Sequence, residues 1–447
     1  MMEVMNILHY SLGLYPDRQG GLVRYSTDLA VEQAKDNCVY YLMPGKLGIV
    51  DKRVRIVYGG THKDLKVYKI DNALPIPLFA GIKDIELYTR EVSSEVYKKY
   101  LKEKAVDVVH VHSLMGLHKE LLEAAKELNI PVFMTTHDFF GLCPITNLYR
   151  NGTVCDNKSI DQRCFECSQH AYGYYKLAIG QSTIYKKLKN TAFVGNMRKE
   201  ALSETSGDVK DFSTEETPDY NHLNGYYREC FSLINYYLFN SNQTREVYES
   251  GLGKLPGTVI PLLLPTIKDN RKRREFLKDG ILHIGYMGEC KDFKGYFLLE
   301  EVVKELASEG YKIELDVFND SANDSAVIVR KGKYSADQLD NIYDSLDLIA
   351  VPSVWYETLS FIAIEAVAAG MPCIVSDHVG AKDYIRDGET GFVISAGNIE
   401  KLKDCLINRI NKTKLDEINR ALIKEPFDFN FINHCLTIRK EYQKAQE

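Results

Sequence analysis

No run of about 18 apolar residues occurs anywhere in the chain, which excludes a membrane-spanning helix. The opening residues lack the basic cluster and unbroken apolar core of a secretory signal, because Glu3 stands near the start and His9 and Gly13 interrupt the apolar run. A cytosolic chain is the expectation. An excess of basic charge is also missing: 56 Lys and Arg stand against 62 Asp and Glu, a net charge of -6. That argues against a general nucleic-acid binder, which needs a basic footprint. With 45% hydrophobic and 26% charged residues the composition is that of a globular protein, not a disordered tail. At 447 residues the chain can bury enough surface to fold without covalent staples. It is long enough for two or three domains at roughly 150 residues each.

What is there alternates. In the first half, the strand-like runs MNILHYSL, NCVYYLMP, VRIVYGG, VDVVHVHS and IPVFMTTHD are separated by the helical patterns RYSTDLAVEQAK, Glu91 to Lys104 and KELLEAAKELN. Alternating strands and helices predict a parallel sheet covered on both faces. From Phe139 to about Arg245 the alternation stops, and a cysteine- and tyrosine-rich insert at about 140–235 takes its place. Gly251 to Pro265 and the basic run Lys268 to Lys278 read as a linker. The alternation then resumes: ILHIGYMG, KIELDVF, DLIAVPS, MPCIVSD and GFVIS read as strands, with helices between. The expected layout is a first domain over 1–255, a second over 256–426, and a helix over 427–447 that crosses back to the first. Two parallel α/β units predict a ligand cleft at the carboxyl ends of their strands.

The most informative stretch is Ser353-Val-Trp-Tyr-Glu357-Thr-Leu-Ser-Phe-Ile-Ala-Ile-Glu365-Ala. Glu357 follows a strand, and a helix starts near Leu359 with Thr358 or Ser360 available as cap. The free N–H groups at such a start, together with the helix dipole, can hold a phosphate. Glu365 falls two turns further on the same face as Glu357. This pair of glutamates eight apart, followed by Gly370-Met-Pro and Gly380, resembles the family-4 glycosyltransferases of the GT-B fold. The resemblance continues through PCIVSDHVGAKDYIRDGETGFVI, where Asp383 stands in place of the more usual glutamate, and through ILHIGYMGECKDFKGYFLLEEVV. In the latter block Lys294 is retained, whereas Glu289 occupies a position that is often arginine. The resemblance covers about 5–150 and 235–445 and is strongest in the second half.

The resemblance implies an α/β GT-B fold: two Rossmann-like parallel-sheet domains facing across a cleft, here with a helical insert in the first. It implies a retaining transfer of sugar from a nucleotide diphosphate sugar to a saccharide or lipid-linked acceptor, in polysaccharide or glycolipid synthesis, with no cofactor required for catalysis. His137, Lys294 and Glu357 would be catalytic. Gly20, Gly21, Lys294, Thr358, Leu359, Ser360 and Glu365 would bind the donor, with base contacts expected near Val329 to Tyr334. His110 and His112 alternate on one strand, and His112 is the nearer to the site. Ser241 and Arg245 match the family's helix start before the hinge. A nucleotide-sugar epimerase of the same plan is one alternative, and a cysteine-cluster metal or redox scaffold is another.

Ten cysteines are the remaining excess. Cys143, Cys155, Cys164 and Cys167 form C-x11-C-x8-C-x2-C directly after His137-Asp138. Four thiolates suit a structural zinc or an iron–sulfur cluster. Reduced, unligated thiols that pin a loop are the other reading, and disulfides a third. The insert's tyrosines, among them Tyr172, Tyr175, Tyr185, Tyr220, Tyr226 and Tyr227, could stack on sugars but read more simply as packing. Its basic residues Lys186, Lys187, Lys189, Arg198 and Lys199 could face anionic lipid or water, so a peripheral contact with the inner face of the membrane is one expectation.

Overall fold

A computed structural model describes residues 4–48, 50–77, 80–180, 218–322 and 324–445. The insert's basic edge and Tyr185 lie outside these residues. Sixteen strands are described: β1 (Asn6–Tyr10), β2 (Cys38–Pro44), β3 (Arg55–His62), β4 (Leu65–Asp71), β5 (Val108–Val111), β6 (Val132–Thr135), β7 (Tyr149–Arg150), β8 (Thr153–Val154), β9 (Tyr236–Phe239), β10 (Gly257–Val259), β11 (Leu282–Tyr286), β12 (Ile313–Val317), β13 (Ile328–Arg330), β14 (Leu348–Val351), β15 (Cys373–Ser376) and β16 (Phe392–Ile394). They form an eight-stranded sheet ordered β10-β9-β6-β5-β1-β2-β4-β3, a six-stranded sheet ordered β13-β12-β11-β14-β15-β16, and the small hairpin β7-β8.

The central strands are continuous apolar runs because helices cover both faces of each sheet. VVHV of β5, VFMT of β6, LIAV of β14 and CIVS of β15 are buried along their whole length. Every pairing in the second sheet is parallel. In the first sheet β3 is the exception, running antiparallel to β4 at the edge. The sequence pattern marked β3 but not β4, and so predicted parallel alternation there. The difference is local. Lys63 turns at φ 51°, and Leu65 and Val67 of β4 face inward between exposed or half-exposed neighbours, as a hairpin at a sheet edge requires. β10 falls inside the Gly- and Pro-bearing stretch read as linker and closes the far edge of the first sheet by pairing with β9.

The C-terminal helix Phe431–Lys444 reaches back to the first domain. Its Tyr442 phenol lies 2.6 Å from His110 Nδ1, and its His434 Nε2 lies 2.9 Å from the Tyr25 hydroxyl. The helix Tyr220–Ser232 docks the end of the insert through buried Tyr220, Tyr226 and Tyr227. These three tyrosines are therefore packing, while Tyr172 and Tyr175 are exposed. Among the described residues no helix is long and apolar enough to cross a membrane.

Candidate active site

The second-domain half of the site is two loops pressed together. Residues Asp292–Lys294 form one turn of 3-10 helix that ends at Gly295, with φ 72°. A Cβ at Gly295 would sit 2.0 Å from the carbonyl oxygen of Pro352, so only glycine lets the Lys294 loop reach the segment after β14. The contact is sealed by Val354 N–H donating to Phe293 O at 2.9 Å and by the Phe293 and Trp355 rings, 4.9 Å apart. Lys294 is thereby aimed at Glu357. Its Nζ lies 3.1 Å from Glu357 Oε1 and over the Trp355 ring at 4.7 Å. Ser353 donates to the other carboxylate oxygen at 2.6 Å. Glu357 is held along its backbone by a bridge to Val379, where its N–H donates to His378 O and its carbonyl accepts from Gly380 N–H.

The helix Phe361–Ala368 begins three residues after Thr358. Ser360 is its N-cap residue, but makes no side-chain cap, and its backbone sits at φ 118°. The first N–H groups of the helix are left without a side-chain acceptor, as an anion site requires. Gly21 approaches this end so closely that a Cβ there would lie 3.2 Å from the Phe361 ring. Gly20, at φ 129°, makes the turn into the first-domain helix Gly21–Gln33. Leu359 is buried, and Thr358 donates through its hydroxyl to the backbone carbonyl of His137 at 3.1 Å. Ser241 and Thr244 donate to Thr358 O at 2.8 and 3.0 Å, and Asn242 N–H donates to Asp383 Oδ2 at 2.6 Å. Ser241 is thus an interdomain clasp. Arg245 pairs with Glu249 instead. Glu289, where an arginine would be usual, is exposed.

Glu365 is half-buried, and burial pushes its carboxyl up to about 7, against the pull of the Arg24 guanidinium. Arg24 comes from the first domain and donates to Thr266 Oγ1 at 2.8 Å. On the other side of the cleft His137 follows β6 and is partly exposed; burial lowers its pKa to about 3, so the ring is neutral at neutral pH. Asp138 accepts from Ser113 Oγ at 3.1 Å and Phe140 N–H at 2.9 Å, yet burial still raises it to about 6.

The structure brings Lys294 into contact with Glu357, and Thr358 into contact with the His137 backbone. Glu365 and Gly21 sit at the same helix. Sequence reasoning missed Arg24, which lies outside any motif, and gave no role to Ser353 and Trp355, which lie in the quoted stretch and partner Glu357 and Lys294. It also missed a collection of buried polar atoms without protein partners: Thr136 Oγ1, both amide atoms of Asn240, and Ser360 Oγ. Buried polar atoms are normally satisfied, and these flank the cleft residues in the chain.

The insert leans over this cleft. Lys158 lies over the Tyr356 ring at 4.5 Å, and Tyr149 faces Phe293 at 6.3 Å. Cys155, Cys164 and Cys167 line a cavity of about 270 Å³ within the insert, and Cys143 is buried beside them. All four are free thiols. Burial is the main cause that raises their pKa values, and charge on neighbouring thiols adds to it at Cys143, Cys164 and Cys167. The groups of three ligand-type residues with donor atoms within 4.8 Å of one another are elsewhere among the described residues: His9, His110 and His112, and His283, Glu314 and Asp316.

Residues 268–425 match the family model described as glycosyl transferases group 1. A lipopolysaccharide 1,2-N-acetylglucosaminetransferase of Salmonella typhimurium is 27% identical over 169 residues, covering 34% of this chain and 44% of that protein. The capsular polysaccharide biosynthesis glycosyltransferase CapM of Staphylococcus aureus is 27% identical over 168 residues, covering 33% and 43%. The chain thus spans under half the length of these curated relatives. Among solved structures, a glycosyltransferase from Rickettsia africae superposes over the whole of both chains with TM-score 0.59 at 14% identity. HepE from Anabaena, in complex with UDP and glucose, superposes with TM-score 0.54 at 12% identity, over 98% of this chain and 100% of that one. At such identities the likeness shows the fold alone. Residues 268–425 thus match the glycosyl transferases group 1 model, in a chain with the GT-B fold.

Proposed function

We propose that the protein is a retaining glycosyltransferase that moves a sugar from a nucleotide diphosphate sugar to a saccharide or lipid-linked acceptor in polysaccharide or glycolipid synthesis. The observation that carries this reading is the Lys294–Glu357 pair, set beside an uncapped helix start on one side of the cleft with Glu365 on the same helix. Transfer makes the diphosphate a leaving group, and its growing negative charge must be met by fixed positive charge. Lys294 and the N–H groups from Ser360 onward supply that charge. Phosphate competes with Glu357 for Lys294, which frees a carboxylate oxygen for a hydroxyl of the donor sugar. Glu365 accepts from the ribose hydroxyls. His137 is neutral, so it meets the sugar as a hydrogen-bonding group. The Thr358 contacts to His137, Ser241 and Thr244 hold the two domains in register, and closure excludes the water that would compete as acceptor.

Glu365→Ala should weaken nucleotide-sugar binding by about tenfold or more, because an unmet ribose hydroxyl pair costs more than one hydrogen bond. Calorimetric titration of a nucleotide sugar that supports transfer checks this. Unchanged affinity would remove Glu365 from the donor site. We place the protein in the cytosol, against the inner face of the membrane where the acceptor is lipid-linked.

The four cysteines add a structural metal site to this reading. Four thiols supply the donor set of a closed tetrahedral zinc or an iron–sulfur cluster. A metal would draw the three half-buried thiols in toward Cys143 and tie the insert down beside the cleft. Elemental analysis of freshly purified protein should then find zinc or iron bound to the chain, lost in Cys164→Ser. Metal-free protein with an ordered insert would overturn it.

A further inference from the structure

A row of buried side chains runs beneath the candidate site from the helix Gly21–Gln33 to His137. Gln33 Oε1 lies 2.8 Å from His9 Nε2, His9 Nδ1 lies 3.0 Å from His112 Nε2, and His112 Nδ1 lies 3.1 Å from His137 Nε2. His9 and His112 are fully buried. Their proximity to His110 would suit a cation, but every ring nitrogen of the three is already engaged: His110 is bonded to Tyr442 through Nδ1, at 2.6 Å, and to Thr135 through Nε2, at 2.7 Å. Hydrogen bonding accounts for the cluster without a metal.

Proton counting then fixes the row. Three hydrogen bonds join four groups, and each bond needs one proton. Three neutral imidazoles carry three protons, so all must point the same way. The direction is set at Gln33. Its amide oxygen, 2.8 Å from His9 Nε2, can only accept. His9 therefore donates from Nε2 to Gln33, His112 from Nε2 to His9, and His137 from Nε2 to His112. No described residue bonds the remaining nitrogen of His137, Nδ1.

We infer that Gln33, His9 and His112 are positioning residues that lock His137 in its Nε2–H form, so that Nδ1 is presented to the cleft as a hydrogen-bond acceptor for a substrate hydroxyl. The lock rests on the proposed transfer only in what Nδ1 is used for. A partner that fixes a histidine's tautomer and orientation is the usual way such a ring is prepared for a task.

Two measurements test it. Nitrogen NMR of selectively histidine-labelled native protein should show His137 as a single Nε2–H tautomer. The Nδ1–H form, or a mixture, overturns the lock whatever the protein catalyses. Release of nucleoside diphosphate from UDP-glucose and other nucleotide sugars is then followed for His112→Phe, His137→Ala and the double variant. His112→Phe keeps a ring but ends the row. Its kcat should fall by about tenfold, the worth of one hydrogen bond, with KM within about twofold. The double variant should be no slower than His137→Ala, since residues acting through one another are not additive. Additive losses would make His112 merely structural. A His137→Ala variant as active as the parent would end the role of His137 in transfer while leaving the NMR result to stand by itself.

Discussion

At Glu365 two forces oppose each other. Burial holds the proton on and Arg24 pulls it off, and burial wins, leaving the carboxyl at about 7. If the ionised form accepts from ribose hydroxyls, donor binding releases a proton, and affinity must fall as pH drops below about 7. A nucleotide sugar suits the measurement because its diphosphate is esterified at both ends and does not titrate near neutrality. Dissociation constants from pH 8 to 5.5 should rise by up to about tenfold per unit on the acid side, a full proton's linkage; Glu365→Gln should flatten the curve. A flat curve for the parent would place Glu365 outside the donor site. At this scale Glu357 and Glu365 were legible because one short strand-loop-helix carries both, and Lys294 because a second block, ILHIGYMGECKDFKGYFLLEEVV, carries it. Arg24 and the Gln33–His9–His112 row were not. Their partners are more than 20 residues away in sequence, and only the parallel register that sets His9 beside His110 reveals them.

Among the elements, the helix start at Ser360 is held in a backbone conformation that L side chains rarely adopt, φ 118°, with a buried hydroxyl that finds no partner. Such residues cost of the order of 1–3 kcal/mol and persist where function keeps them. Ser360→Gly should therefore raise the thermal midpoint, by about 1 kcal/mol of stability, and leave nucleotide-sugar binding within about twofold if only the backbone N–H groups contact phosphate. A lower midpoint would show that the hydroxyl is used. The parallel strands were legible from continuous apolar runs, and the site helix from its position after one of them. The strand β4, paired with the antiparallel edge strand β3, was hidden: KVYKID mixes lysine and apolar residues in a short run, and the β3–β4 pairing depends on a turn at Lys63 that no glycine or proline marks.

For the molecule as a whole, six histidines, five buried and His137 half-buried, have lowered pKa: His9 and His434 at about 4, His118 and His137 at about 3, and His110 and His112 well below the usual value. Burial is the main cause for each. The unfolded chain binds protons at these rings once pH falls below about 6.5, while the folded chain does not, so stability is lost as pH falls. Asp138 and Glu365, raised to about 6 and about 7, act oppositely, as do the smaller raises at His283, Asp28, Glu120, Asp316, Asp347 and Asp383, but the six lowered rings carry the larger shifts over this range. The thermal midpoint should drop steadily from pH 6.5 to 5, with each neutral histidine contributing up to about 1.4 kcal/mol per pH unit. A midpoint that holds or rises over that range would contradict the neutral histidine core. Two α/β units facing across a cleft were legible from alternation alone, whereas the clasp of Ser241, Thr244 and Asn242 on Thr358 and Asp383 needed the structure. The account stands most directly on Lys294. Nucleotide sugars should be screened for release of nucleoside diphosphate in the presence of acceptor, comparing the parent with Lys294→Ala. The account predicts turnover by the parent and a loss of about a hundredfold or more in the variant, as for removal of one fixed charge from a developing anion; a variant as fast as the parent would contradict it.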